Sequence, residues 1–268
     1  MSTAGLLLRL SGPLQSWGER SRFNERDTNT APTRSGLIGL IAAALGRRRD
    51  EDIGDLTALS FTIRIDRPGT LLRDFHTVGG GMPRRLTVIT AEGKRRSAET
   101  ATLISDRYYL ADAAFTVAVT APDPQLLDTC AAALREPRWP PYLGRRSCPP
   151  SGPILLSTLE HDPVPPLIAL PLPRKHPANE STISVEFRSD TPFDTAPWPG
   201  LPVTEQIYTE AQDEPISFSP HRRQYRTRPV YRCHLDLPAD QCADYGTAYL
   251  RKLHEHLAAA PPNGSTPS

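Results

Sequence analysis

Little in this sequence announces an enzyme. Only one of the seven histidines, His76, precedes residue 161. The four cysteines, Cys130, Cys148, Cys233 and Cys242, form no C-x-x-C pair and stand at no zinc-finger spacing from a histidine, so they read as buried, reduced thiols. There is no G-x-x-x-x-G-K-S/T loop, no G-x-S-x-G elbow and no H-E-x-x-H pair, and Gly79-Gly80-Gly81 is too short for a dinucleotide fingerprint. The acidic residues are scattered and offer no compelling carboxylate cluster for two-metal chemistry. No metal and no cofactor is expected. No apolar run approaches the roughly 18 residues a membrane span needs. Leu6–Leu10, interrupted by Arg9, is too short for a secretion signal. The expectation is a cytoplasmic protein without a membrane partner.

What is present is a folding chain, 38% hydrophobic and 23% charged, with 29 prolines concentrated after residue 120. A net charge of +1 hides an asymmetry. Residues 1–150 carry 21 basic and 16 acidic side chains, and residues 151–268 carry 10 and 14. Nearly all the basic residues of the first part are arginine, suited to bidentate phosphate contacts and to stacking on bases. A solvated mixed surface accounts for the same excess.

Periodicity gives an α+β order. Gly5–Leu10 reads as a strand, and Arg34–Leu45 as a helix stopped by Gly46. Phe61–Asp66 and Ala113–Val119 alternate as strands; Pro124–Arg135 is a second helix and Pro153–Ser157 a last strand. This βαββαβ order is that of a ferredoxin-like (RRM-like) domain, over residues 1–160. An insertion at about 68–110 is too long for a hairpin turn and predicts a projecting two-stranded arm, built from Leu86–Thr90 and Thr102–Leu110. Beyond 160 the pattern weakens into an irregular C-terminal region, 161–268. Pro163–Pro177 is expected to be extended, Thr182–Arg188 and Val230–Leu237 to be strands, and 239–259 a terminal helix before a disordered tail.

Three clusters carry possible chemistry. Gln15, Trp17 and Gly18 precede Thr33, Arg34 and Ser35 at the mouth of the first helix, where unpaired N–H groups suit a phosphate. A plain Thr33 cap, with Arg34 facing water, explains the same residues. Arg73-Asp74-Phe75-His76-Thr77-Val78 holds the early histidine. One titratable group does not make a mechanism, so His76 is expected to contact RNA or serve structure. Tyr142, Gly144, Arg145, Arg146 and Ser147 form a loop able to clamp phosphate or stack on bases, or simply a turn with solvated arginines.

Taken together, four segments resemble the CasD family of the RAMP superfamily, found in the CRISPR subtype I-E Cascade complex. They are Leu-Arg-Leu-Ser-Gly-Pro-Leu-Gln-Ser-Trp-Gly at 8–18, Pro-Thr-Arg-Ser-Gly-Leu-Ile-Gly-Leu at 32–40, Arg-Asp-Phe-His-Thr-Val at 73–78 and Pro-Tyr-Leu-Gly-Arg-Arg-Ser-Cys-Pro at 141–149. The resemblance covers residues 1–158 and fades toward the C-terminus, where the helix at 239–259 looks like an addition. It implies a non-catalytic subunit that caps the 5′ handle of the guide RNA (crRNA) and touches the Cascade backbone and large subunits. Target DNA would be met only through the complex. It also implies a thumb, with His76 and Thr77 at its base; Arg84 and Arg85, in the basic stretch of the insertion, are expected to contact RNA. Two other readings stay open. In one, a metal-independent endoribonuclease uses His76 as base, helped by Tyr108, Tyr109 or Lys94. In the other, the chain is a generic single-stranded RNA binder.

Overall fold

The computed structural model describes residues 4–19, 24–90, 92–97, 101–193 and 206–259; the expected tail at 261–268 lies outside them. The elements run β1 (Gly5–Ser11), β2 (Leu14–Gln15), β3 (Glu25–Arg26), α1 (Arg34–Leu45), β4 (Ser60–Arg67), β5 (Thr70–Val78), β6 (Leu103–Ala111) and β7 (Ala114–Thr120). There follow α2 (Pro124–Arg135), β8 (Leu155–Leu159), α3 (Val164–Ala169), β9 (Thr182–Ser189), β10 (Ile207–Ser217), β11 (Gln224–Pro238) and α4 (Gly246–Ala259). The architecture is α+β, mostly antiparallel, with few helices.

One seven-stranded sheet, ordered β10-β11-β9-β4-β7-β1-β8, is antiparallel throughout and runs unbroken from the N-terminal strands into the C-terminal region. Its centre is buried on both faces because both are covered. Leu6, Leu8 and Leu10 of β1 meet α1 and α2, while Leu7 between them meets α3, Tyr249 and Leu253 on the opposite side. The period-two alternation of β1 thus feeds two cores. The face opposite α1 and α2, which an RRM-type binder would leave open to bases, is closed here.

Local chemistry sets the helix ends. The Thr33 hydroxyl accepts from the Gly36 N–H at 3.3 Å, and Gly46, at φ +75°, lets Arg47 donate back to the Ala42 carbonyl. Asp123 caps α2 at the Gln125 N–H, with Pro124 at its first turn.

A second, smaller sheet carries the arm. Its first strand is β5, Thr70–Val78, paired along its length with β6, and not Leu86–Thr90, whose Leu86 closes a short 3₁₀ turn. The extended run expected at Pro163–Pro177 contains α3: Pro165 and Pro166 sit in its first turn, where no intrahelical N–H is needed. The terminal helix begins at Gly246 and not 239; Ala239–Gln241 is a separate 3₁₀ turn, and Leu172 bridges to Cys242 beside it.

All four cysteines are reduced and buried. Burial pushes the Cys130 thiol up to about 11 and Cys233 to about 12. The native chain at a pH of about 8 should therefore leave both unalkylated by iodoacetamide, since only the thiolate reacts. Peptide mass spectrometry before and after denaturation checks this, and rapid native labelling of Cys130 would contradict its burial.

Candidate nucleic-acid interface

Two of the three clusters, Gln15–Gly18 with Thr33–Ser35 and Tyr142–Ser147, meet at one end of α1, but their side chains divide between core and surface. Gln15 is fully buried; it donates to the Leu10 and Ala113 carbonyls and accepts the Trp17 indole N–H at 3.0 Å. Trp17 is buried beneath α1, where a Cβ on Gly36 would stand 2.7 Å from its ring. Gln15 is spent on these internal bonds, and Trp17, packed against α1, lies at the edge of the cleft beside it with almost no surface of its own exposed.

Arg34 is withdrawn as well. Its guanidinium donates to Asp190 at 2.5 Å and to the Thr57 carbonyl at 2.7 Å, and lies 2.9 Å from Glu214. Its backbone N–H donates to Asp213 at 2.6 Å. The helix N-terminus therefore already faces a carboxylate of the chain itself, which takes the place expected for a phosphate. Arg228 closes the cluster, bridging Asp213 and Asp190. Burial pushes the Asp190 carboxyl above its ordinary range, and Arg228 and Arg34 pull it back.

The 141–149 loop docks against this assembly. Ser16 donates its N–H to the Leu143 carbonyl, and its hydroxyl reaches the Tyr108 carbonyl. Gly144, at φ +85°, lies so close that an added Cβ would stand 1.7 Å from the Ser16 carbonyl oxygen. Its glycine serves approach to the protein's own backbone and not to a ligand. Arg145 stacks on Tyr109 at 4.8 Å and donates to the Arg26 and Asp27 carbonyls; its Nη1 is buried without a hydrogen-bond partner. Tyr142 is half-buried, and Arg146 and Ser147 are exposed.

The arm residues stand apart. The β5–β6 ribbon is rooted at Thr70↔Ala111, while His76 pairs with Ser105 and Thr77 with Ile104. Six residues at about 3.3 Å each put His76 roughly 20 Å out along the arm, not at its base. His76 is half-exposed, with Nδ1 3.3 Å from Asp74. Tyr109 shares its face of the ribbon but pairs with Leu72, four residues or roughly 13 Å away; Tyr108 faces the other side. Arg85 is exposed, and the Arg84 side chain lies outside the described residues.

Residues the sequence left unremarked complete the surface. A cleft of about 1430 Å³ runs the length of α1. Its floor is the small-residue face with Ser35, Gly36, Gly39, Ala43 and Gly46. One wall is the segment from Arg138 to Arg146, with Trp139 and Tyr142; the other holds Phe218, Arg223 and Tyr225, at the turn between β10 and β11. Arg26 and Arg107 close one end, and Arg47, Arg48 and Arg49 the other. Nine arginines and a single glutamate, Glu51, line it among the described residues. That leaves 22 of the 31 basic and 29 of the 30 acidic residues for the rest of the chain. Arg47 is spoken for by Asp55, whose carboxyl it holds below the usual range through a hydrogen bond. Arg49, Arg138, Arg146 and Arg223 have no carboxylate partner among the described residues. Sites for small ligands usually enclose about 300–1,000 Å³ of mostly apolar wall. A larger, open, arginine-lined trough with aromatic walls fits a single-stranded polyanion. No group of three or more metal-ligating side chains occurs among the described residues, and no described helix is long and apolar enough to cross a membrane.

Comparison with known proteins gives the family of the chain. Residues 5–231 match the family model of the CRISPR-associated protein (Cas_Cas5). CRISPR system Cascade subunit CasD of Escherichia coli (strain K12) is 40% identical over 169 residues, which span 58% of this chain and 71% of that protein. A chain of a solved CRISPR RNA-guided surveillance complex superposes with a TM-score of 0.82 at 44% identity, covering 95% of this chain and 99% of the other. A solved Cas protein follows at 0.57 and 33% identity, with 90% and 98% covered. With the family model spanning most of its length, and with a Cascade CasD subunit among its relatives, the chain belongs to the CRISPR-associated Cas5 family.

Proposed function

We propose that this protein is a non-catalytic crRNA-binding subunit of a type I-E Cascade antiviral complex in the cytoplasm. It caps the 5′ handle of the guide RNA in the arginine cleft and bridges the backbone and large subunits. The observation that carries this reading is the concentration of nine arginines against one glutamate on a trough shaped for a single strand. Arg146, exposed and without a carboxylate partner, supplies donors for phosphate oxygens, and Arg145 holds the loop that carries it against Tyr109 and the Arg26 and Asp27 carbonyls. The strand order β8-β1-β7-β4, with α1 and α2 on one face, supports a ferredoxin-like unit over residues 1–160. Its arm would meet the backbone subunit, because Leu71, Phe75 and Ile104 share one face of the ribbon and are exposed, Phe75 by 66%.

The endoribonuclease reading has less support, because His76 stands roughly 13 Å along the ribbon from the tyrosine on its own face. Arg146→Ala should weaken binding of a repeat-derived 5′ RNA and flatten its salt dependence by about 0.7 per lost phosphate, without moving the melting temperature. Fluorescence anisotropy at several salt concentrations measures this; an unchanged slope would remove the loop from the site. Sequencing the 5′ ends of RNA that copurifies with tagged protein from its host separates the remaining readings. A single repeat-derived end supports the cap, and mixed ends support a generic single-strand binder.

A further inference from the structure

The cleft has two ends, and the residues singled out by motif occupy only one of them. Arg145 and Arg146 lie by the N-terminus of α1, joined to it through Ser16 and Trp17. At the helix C-terminus, about 18 Å away for 12 residues at ~1.5 Å each, three separate chain segments converge. The run after Gly46 brings Arg49. Arg138 donates its N–H to the Ala44 carbonyl and lies against Gly46. The β10–β11 turn, held on α1 by Phe218, brings Arg223 and Tyr225.

We infer that Arg49, Arg223 and Tyr225 form a second nucleotide-binding subsite, taking one further phosphate and base of the same single-stranded RNA. This rests on the RNA-binding reading above. Arg49, Arg223 and Tyr225 line the same cleft, and both guanidinium charges oppose the rise that burial gives the Tyr225 hydroxyl. They come from positions 174 residues apart and share no carboxylate among the described residues. With Glu51 the one carboxylate in the lining, the arginines outnumber their counter-charge, and an anion placed between them relieves their repulsion. A ring beside them adds a platform on which any base can stack. A helix C-terminus by itself also favours cations, but that effect fades within a turn and does not reach Arg223 across the cleft. The floor between the two ends is made of Gly36, Gly39 and Ala43, one helical face without bulky side chains to interrupt a strand.

The test uses the full chain and two oligouridylates of roughly 4 and 12 nucleotides, lengths typical of single-strand sites on one small domain. Arg49→Ala/Arg223→Ala should lower the salt slope for the longer RNA by about 1.4, two phosphates at ~0.7 each, and leave the shorter RNA unaffected. Tyr225→Ala should weaken the longer RNA about tenfold, with Tyr225→Phe restoring it. Arg146→Ala should weaken both. Arg49 and Arg223 are exposed, so their variant should melt as the parent does. Parent-like binding of the longer RNA by these variants, with Arg146→Ala still impaired, would overturn the subsite and leave the RNA-binding reading standing. Equal losses on both lengths would place these residues in the first end and overturn a separate subsite. Failure of the parent to bind either RNA would remove the RNA-binding reading itself.

Discussion

Arg34→Ala is expected to destabilise the protein by about 3–5 kcal/mol while leaving the salt slope of RNA binding, measured on folded protein, unchanged. Arg34 sits in a buried cluster with Asp190, Asp213, Glu214 and Arg228, and its charge offsets carboxylates contributed by β10 and by the end of β9. Removing it leaves those carboxylates with Arg228 alone, in a place where water cannot compensate. Burial already pushes Asp190 upward; without Arg34 it should take up a proton more readily in the folded state than in the unfolded one. A folded-state pKa raised in this way favours folding at low pH and is lost as pH rises through it, so the deficit of the variant should shrink on acidification. Thermal melts across a pH series, paired with RNA titrations, measure both parts. A variant that melts normally but binds RNA with a flatter salt slope would make Arg34 a phosphate ligand and end the internal-cluster account.

Gly144→Ala should cost about 2–4 kcal/mol of stability and weaken RNA binding more than Arg146→Ala does. The residue has φ +85°, which penalises any side chain, and the obstacle to a Cβ is the Ser16 carbonyl oxygen at 1.7 Å, backbone that no rotamer change can clear. The 141–149 loop would have to lift. That breaks the Ser16–Leu143 hydrogen bond and draws Arg145 off Tyr109 and the Arg26 and Asp27 carbonyls. Calorimetry and anisotropy on the same preparation check the pair of effects. Parent-like RNA affinity in a destabilised variant would mean that the loop shapes the fold without shaping the cleft.

Much of the element order was legible because its signals are local. Thr33 and Gly46 bracket α1, Asp123 and Pro124 open α2, and both helices span the residues their apolar spacing marks out. The central strands β4 and β7 declare themselves by β-branched and aromatic alternation. β10 was not legible: an edge strand with one neighbour, carrying Glu210, Gln212, Glu214 and Pro215, has no two-sided apolar environment to write itself into sequence. β5 was missed for a related reason, since it projects in a ribbon and leaves Leu71 and Phe75 exposed among charged residues.

By itself, the sequence determined α1 and α2, the core strands, the presence of an inserted arm and a family resemblance, because caps, periods and motifs act between residues a few positions apart. It could not sort Gln15, Trp17 and Arg34 from Arg146. A polar side chain looks the same in sequence whether it meets a ligand or a partner, and the carboxylate partners of Arg34 lie 156 residues or more downstream. Only the tertiary structure decided which arginines remain free to meet an anion. Folding places Asp190, Asp213 and Glu214 against Arg34 and brings Arg49, Arg138 and Arg223 to a cleft where none of the three is paired with a carboxylate among the described residues. That distribution of counter-charge in space makes a chain of net charge +1 into one with a strongly basic cleft.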